Sequence, residues 1–256
     1  MKVQILGAHN AETREARLVT LLIDDVLAID AGALTSSLSF TDQKGIRAVL
    51  ISHHHFDHVR DLLTLGMNAA FWSPVSVYAP KETIEVIIPC LLDGKIYVDF
   101  SRFPSKENPS LQFHNIQPFR EEVIEGYKIT PLPVKHPAPT VGYQVVSPQG
   151  KSLFYTADTG PGLHECWSHT SPQLLITEVS GINKWAETLQ RAGHLCTQFL
   201  KHELLQFRQL KGYRPHVIVV HITPQVEDEI KKEVEEIAAE LGADIGIGYE
   251  GMLIEV

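Results

Sequence analysis

Residues 51 to 59 read ISHHHFDHV, four histidines and one aspartate in nine positions. They follow IRAVLIS, an apolar, β-branched run suited to a buried strand. A chain leaving a sheet at such a point can turn several successive side chains into one pocket. Imidazole and carboxylate groups gathered this way are ligands for a borderline cation such as Zn²⁺ or Fe²⁺, and a catalytic site of that kind keeps an open or water-filled position. A surface histidine patch or a merely pH-sensitive tract is the alternative. The spacing H-x-H-x-D-H at a strand end inside a domain argues for metal and makes His53, His55, Asp57 and His58 the first candidate ligands.

Further along, PVKHPAP, YTADTG and VVHITP contribute His136, Asp158 and His221, each after an apolar run. LLITEVSG places Glu178 at a strand end, and RAGHLC places His194 just before a helical pattern. Taken singly, these are ordinary strand-end or turn residues, and His194 equally suits a turn set by Gly193. Asp30 in IDAG reads either as a support for a ligand or as part of a strand-terminating turn with Gly32. His164, Cys166 and His169 in GLHECWSH are candidates for a pocket rim, although a loop or short helix with incidental polar groups is the plainer reading.

The elements that must position these groups alternate between strand and helix patterns, with no repeat or linker dividing the chain. KVQILGA, then LVTLLIDDVLAIDAG turning at Asp24 and Asp25, then IRAVLIS, read as strands. RDLLTLGMNAAFW has helical character, VSVYAP is a short strand, and KETIEVIIPCLLDG is spaced like a helix ending at Gly94. A second half restarts with YKITPLPVKH, a hairpin turning at Ser147 to Gly150, and the strand QLLITEV. It continues with the helix LCTQFLKHELLQFRQLKG, the strand HVIVVHITP, the amphipathic helix QVEDEIKKEVEEIAAELG and a last pair of strands in DIGIGYEGMLIEV. One domain over 1–256, a layered α/β sandwich, is expected.

The composition limits the partners. Lys and Arg total 22 against 31 for Asp and Glu, a net charge of −9 that works against a broad phosphate-binding surface and so against long nucleic acid. The N-terminus lacks the pattern of a secretory signal and no run approaches a membrane span, so a cytoplasmic protein with no membrane partner is expected. Cys90, Cys166 and Cys196 lie far apart and read as free thiols rather than disulfide or zinc ligands.

HHHFDH, followed in order by PVKHPAP, YTADTG and VVHITP, resembles the motif set of the metallo-β-lactamase superfamily. The resemblance implies a four-layer αββα sandwich around two divalent metal ions, with Zn²⁺ expected and Mn²⁺ or Fe²⁺ as alternatives. It implies that His53, His55 and His136 hold one ion, that Asp57, His58 and His221 hold the other, and that Asp158 bridges them. His54 does not fit the pattern and is left out. Two such ions about 3.5 to 4 Å apart lower the pKa of a shared water and stabilise charge on an attacked centre, so hydrolysis is the expected chemistry.

Glu178 and His194 together resemble the glutamate and the glycine-histidine motif of the ribonuclease Z and cyclic-nucleotide phosphodiesterase branch. There the glutamate orients the histidine, which assists a departing alkoxide, a poor leaving group on its own. Asp57 is expected to act catalytically as well, accepting a proton from the nucleophile. Only 22 residues separate His136 from Asp158 (158 − 136), and a hairpin consumes them, leaving no room for a long tRNA-gripping arm. Lys184, Arg191, Lys201, Arg208 and Lys211 would have to form a basic patch for an RNA substrate, and they read better as solvated helix residues. The expected activity is that of a phosphodiesterase acting on a small nucleotide-like or cyclic diester. A thioester or lactone hydrolase is the main alternative; a tRNA 3′-processing endonuclease and a diiron redox protein are more remote. GAHNAETREAR is expected to loop over the site, and the branch implies a possible homodimer.

Overall fold

In the computed structural model, which describes residues 1–256, fourteen strands form two seven-stranded mixed sheets. The first contains β1 (Lys2–Gly7), β2 (Thr20–Ile23), β3 (Leu27–Ile29), β4 (Ala48–Leu50), β5 (Val75–Ala79) and β6 (Leu111–Asn115). The second contains β7 (Glu122–Ile124), β8 (Tyr127–Pro133), β9 (Val141–Val146), β10 (Ser152–Tyr155), β11 (Leu174–Glu178), β12 (His216–Val220) and β13 (Ile245–Ile247). β14 (Leu253–Glu255) returns to pair with β1 in the first sheet. Each sheet joins antiparallel strands to a parallel run, β3 to β6 in one and β10 to β13 in the other.

The two-residue period of a strand decides what each face covers. Val3 and Ile5, Leu21 and Ile23, and Ala48 and Leu50 share one buried cluster with Ile129, Tyr143, Leu153, Ile176 and Ile218 from the facing sheet. Their neighbours Leu22, Ala28, Val49 and Val77 point the other way, under the helices α1 (Leu34–Ser37), α2 (Phe40–Gln43), α3 (Phe56–Val59), α4 (Leu62–Ala69) and α5 (Lys81–Leu91). On the second sheet Phe154, Leu175, Val217 and Val219 pack beneath α6 (His164–His169), α8 (Thr197–Lys211) and α9 (Glu227–Leu241), while the short α7 (Ala186–Ala192) precedes α8. The result is the αββα sandwich. Each fully buried Leu, Ile or Phe adds about 1.5–3 kcal/mol to it.

The Asp24–Asp25 turn has φ of 45° and 61°, the doubly left-handed geometry that suits a two-residue hairpin. α9 buries Ile230, Val234, Ile237 and Leu241 and ends at Gly242, as its periodicity indicates. Three details differ from the sequence reading. The helix expected to reach Gly94 stops at Leu91, because Pro89 has no N–H to give and the last turn closes through Leu92 N to Ile87 O at 3.2 Å. The closing strands separate, β13 joining the second sheet and β14 the first. β6, β7 and the short α1, α2 and α7 carry too little periodicity to be read. No helix is long and apolar enough to cross a membrane.

Candidate active site

The candidate residues sit where strands end. β4 runs into Ser52 and His53, a segment held by Ile51 N to Tyr78 O (2.8 Å), Tyr143 OH to Ile51 O (2.8 Å) and Val141 N to Ser52 O (3.2 Å). His55 is the N-cap of α3 in extended conformation, and the helix then brings Asp57 and His58 around to the same side. His136 follows β8, Asp158 follows β10 and His221 follows β12. Asp30, Ala157 and His221 adopt φ of 59°, 55° and 59°, unusual for residues other than glycine. Such conformations cost on the order of 1–3 kcal/mol each and concentrate where function holds them in place.

Two groups result. His53, His55, His136 and Asp158 offer ligand atoms all within 4.8 Å of one another, and so do Asp57, His58, Asp158 and His221. Asp158 belongs to both. His221 Nε2 stands 3.3 Å from Asp158 Oδ2 and 3.2 Å from Asp57 Oδ2, His136 Nε2 lies 3.2 Å from His55 Nδ1, and His53 Nε2 lies 3.8 Å from Asp158 Oδ2. His58 Nε2 is 3.2 Å from Asp158 Oδ1 but not oriented to bond it, so these two atoms and His53 Nε2 are buried with no hydrogen-bond partner. Buried polar atoms rarely go unpaired, and three aimed into one space mark a place for a ligand.

The opposite edges of the rings are occupied. His58 Nδ1 donates to Asp30 at 2.7 Å, His136 Nδ1 to the Gly193 carbonyl at 3.0 Å, His53 Nδ1 to Ser52 Oγ at 3.0 Å and His221 Nδ1 to Ser180 Oγ at 2.7 Å. Fixing the proton on Nδ1 leaves Nε2 free to face the cluster, as metal-ligating histidines require. Gly193 can approach His136 only because it lacks a side chain: its φ is +77°, and a Cβ there would meet Pro137 at 2.5 Å.

Electrostatics follow the packing. Burial, reinforced by neighbouring histidines, lowers the pKa of His53 well below its usual value, and burial lowers those of His55 and His136. Burial disfavours the ionised carboxylates of Asp57 and Asp158, but His221 and His58 outweigh it and hold both pKa values down. Neutral imidazoles and ionised carboxylates are the protonation states that bind metal. His58 differs: burial opposes its charge, yet Asp158 and Asp30 raise its pKa well above normal. The donor set and its unpaired atoms fit a dinuclear divalent metal site.

His194 lies beside the cluster, its ring 5.0 Å from that of His136 and stacked at 5.4 Å on that of His221. Its Nδ1 is held by Glu178 Oε1 at 2.8 Å. Burial lowers its pKa, but the Glu178 carboxylate more than reverses this and raises it to about 9.

Other expectations resolve differently. Asp30 both ends its strand and supports His58, so its two readings coincide. The 8–17 loop runs from Asn10, bonded to Ile222 O and Thr223 Oγ1, to the ion pair of Glu12 with Arg60, crossing the side that carries Asp57, His58 and His221. The rim candidates go elsewhere: Cys166 is buried against Pro133 O, the His169 ring packs at a tilt against Phe119, and His164 lines a separate cleft with Gln206, Gln209 and Leu210. Lys201 pairs with Glu240 at 2.5 Å and Arg191 with Glu187 at 3.9 Å, as solvated helix residues do. Ser52 and Ser180 escaped the sequence reading, their only signal being that Ser52 precedes His53 and Ser180 lies two residues after Glu178.

A family model described as a beta-lactamase superfamily domain matches residues 20–222. The metallo-β-lactamase fold protein YhfI from Bacillus subtilis is 20% identical, with a TM-score of 0.77 over 100% of this chain and 99% of that one. Unliganded yeast PDE1 is 18% identical, with a TM-score of 0.83 over 100% and 99%. Human tRNase Z, short form, is 15% identical, with a TM-score of 0.70 over 100% and 99%. A comparison with curated protein sequences gave no match.

Proposed function

Because the chain belongs to the metallo-β-lactamase superfamily, we infer that it is a metal-dependent hydrolase whose substrate is a small, nucleotide-like or cyclic phosphodiester. The observation that carries the substrate class is His194, held by Glu178 at 2.8 Å beside the metal-type cluster.

His53, His55 and His136 would hold one cation and Asp57, His58 and His221 the other, with Asp158 within reach of both groups. Two divalent cations bound there would supply hydroxide at neutral pH and offset charge on the phosphoryl oxygens. Asp57 has a side chain 26% exposed against 2% for Asp158, so it is the carboxylate an entering nucleophile meets, and it accepts that nucleophile's proton. Glu178 fixes the proton on His194 Nδ1 and favours the imidazolium, so the opposite edge of the ring delivers a proton to the departing oxygen. A phosphodiester needs this donor because an alkoxide leaves poorly, whereas a thioester does not. The acidic surface and the tight β9–β10 hairpin both support a small substrate over tRNA.

The experiment is hydrolysis of bis(p-nitrophenyl) phosphate by protein loaded in turn with zinc, manganese and iron, beside a panel of thioesters and lactones. Diester turnover that disappears in Asp57→Ala is expected. Two bound ions with no diester turnover, but with thioester or lactone hydrolysis, would overturn the reading.

A further inference from the structure

Next to His136 the surface opens into a cleft of about 480 Å³, lined by Lys135, His136, Gly160, Gln190, Arg191 and Gly193 among others and by no carboxylate. In a chain of net charge −9, two cations in a cleft with no acid in its lining, beside the active site, stand out from the background. Arg191 Nε donates to the Glu187 carbonyl at 3.2 Å, and its terminal nitrogens have only the loose 3.9 Å contact with the Glu187 carboxylate, both side chains more than three-quarters exposed, which leaves that end of the guanidinium available.

The lysine rests on a built platform. Its carbonyl accepts from Gly160 N at 2.6 Å, and its ammonium lies against Gly162, where a Cβ would stand 2.3 Å from Nζ. That loop is fixed from below by buried Glu203, which accepts from Gly162 N at 2.6 Å, Leu163 N at 3.1 Å and Trp167 Nε1 at 3.2 Å. The cleft shares His136 and Gly193 with the active site, and Gly193 immediately precedes His194. A group bound there sits on the side from which the leaving oxygen departs.

We propose that this cleft binds a second phosphate, carried by the leaving alcohol of the substrate. Arg191 supplies a planar fork that matches two phosphate oxygens, and Lys135 supplies a point charge. The proposal rests on the phosphodiesterase reading for its chemistry but not for the binding site itself. It narrows the substrate to diesters whose leaving half is itself a phosphate monoester.

The test is calorimetric binding of propyl phosphate and of propane-1,3-diyl bisphosphate to the metal-loaded protein, with a matched pair of diesters that differ only in a phosphate on the leaving alcohol. The bisphosphate should bind about tenfold tighter or better, the worth of one charge-assisted contact. Lys135→Ala with Arg191→Ala should bring it to the affinity of propyl phosphate, and Lys135→Glu should make it the weaker ligand. Both positions are exposed, and a thermal melt checks that the variants fold. Equal binding of the two ligands to the wild type, or an advantage that survives the double substitution, would overturn the proposal. If neither diester is hydrolysed while the bisphosphate advantage is present and lost on substitution, the phosphodiesterase reading fails and the subsite stands.

Discussion

Ser180 Oγ joins Glu178 to His221, donating to Glu178 Oε2 at 2.6 Å and accepting from His221 Nδ1 at 2.7 Å. The other half of the sandwich repeats the arrangement: Ser52 Oγ donates to Asp30 Oδ2 at 2.9 Å and accepts from His53 Nδ1 at 3.0 Å. In each half a buried carboxylate at a strand end decides, through one serine, which nitrogen of a histidine faces the cluster.

Replacing either serine by alanine removes the acceptor that holds that tautomer. Ser180→Ala and Ser52→Ala should each weaken metal binding about 10- to 100-fold. Competition with a chromogenic chelator reads this directly, and unchanged affinity in both would show that the relays do not orient the ligands.

Asp30 is fully buried and accepts from Ser52 N at 2.8 Å, Ser52 Oγ at 2.9 Å, His58 Nδ1 at 2.7 Å and Tyr155 OH at 3.0 Å. Asp30→Ala strands four buried donors and should cost about 3–5 kcal/mol. In a chain of this size the melting temperature should fall by about 10 °C, measured by scanning calorimetry. A shift of a degree or two would mean that the network reorganises at little cost.

The site was legible in the sequence to the extent that one segment holds several of its groups. ISHHHFDHV places three candidate-ligand histidines, a fourth histidine and an aspartate within six positions, and no bland reading accounts for that spacing at a strand end. His136, Asp158 and His221 are scattered single residues that became candidates only through their order along the chain. The strands were legible because Val, Ile and Leu alternate or run together there, whereas β7 (EVI) and α2 (FTDQ) are too short to show a period. Lys135 carried no signal, since its role depends on a neighbouring loop more than twenty residues later and on a helix further still. Ser180 was hidden similarly: it touches its own neighbour Glu178 but also His221, which the fold alone brings to it.

Metal removal should be visible in stability. Burial lowers the pKa values of His53, His55 and His136, and neighbouring histidines lower those of Asp57 and Asp158, which favours the protonation states that bind metal; bound cations would also relieve the site's unpaired atoms. Free metal at a thousand times its dissociation constant adds about 4 kcal/mol. Chelation should therefore lower the melting temperature and back-titration with zinc restore it; a melt indifferent to metal would contradict the assignment.

The pH dependence has a definite sign. The pKa of His194 is about 9, so the imidazolium persists through neutral pH and is lost as pH rises through that pKa. Turnover of an alkyl diester should follow, with an alkaline limb set by His194. Asp158 and Asp57 also help to raise this pKa, so cations bound to them should place the limb of the loaded enzyme below that of the bare protein. Glu178→Gln removes the largest favourable charge and should move the limb lower again. A limb that stays put in Glu178→Gln would assign it to another group.

The most direct measurement compares His194→Ala with the wild type on two phosphodiesters that share the same phosphoryl half, one releasing p-nitrophenolate and the other an alkoxide. If His194 delivers the proton to the departing oxygen, the substitution should cost about 10²- to 10⁴-fold with the alkoxide and little with p-nitrophenolate. Equal losses on both substrates, or none on either, would contradict the account.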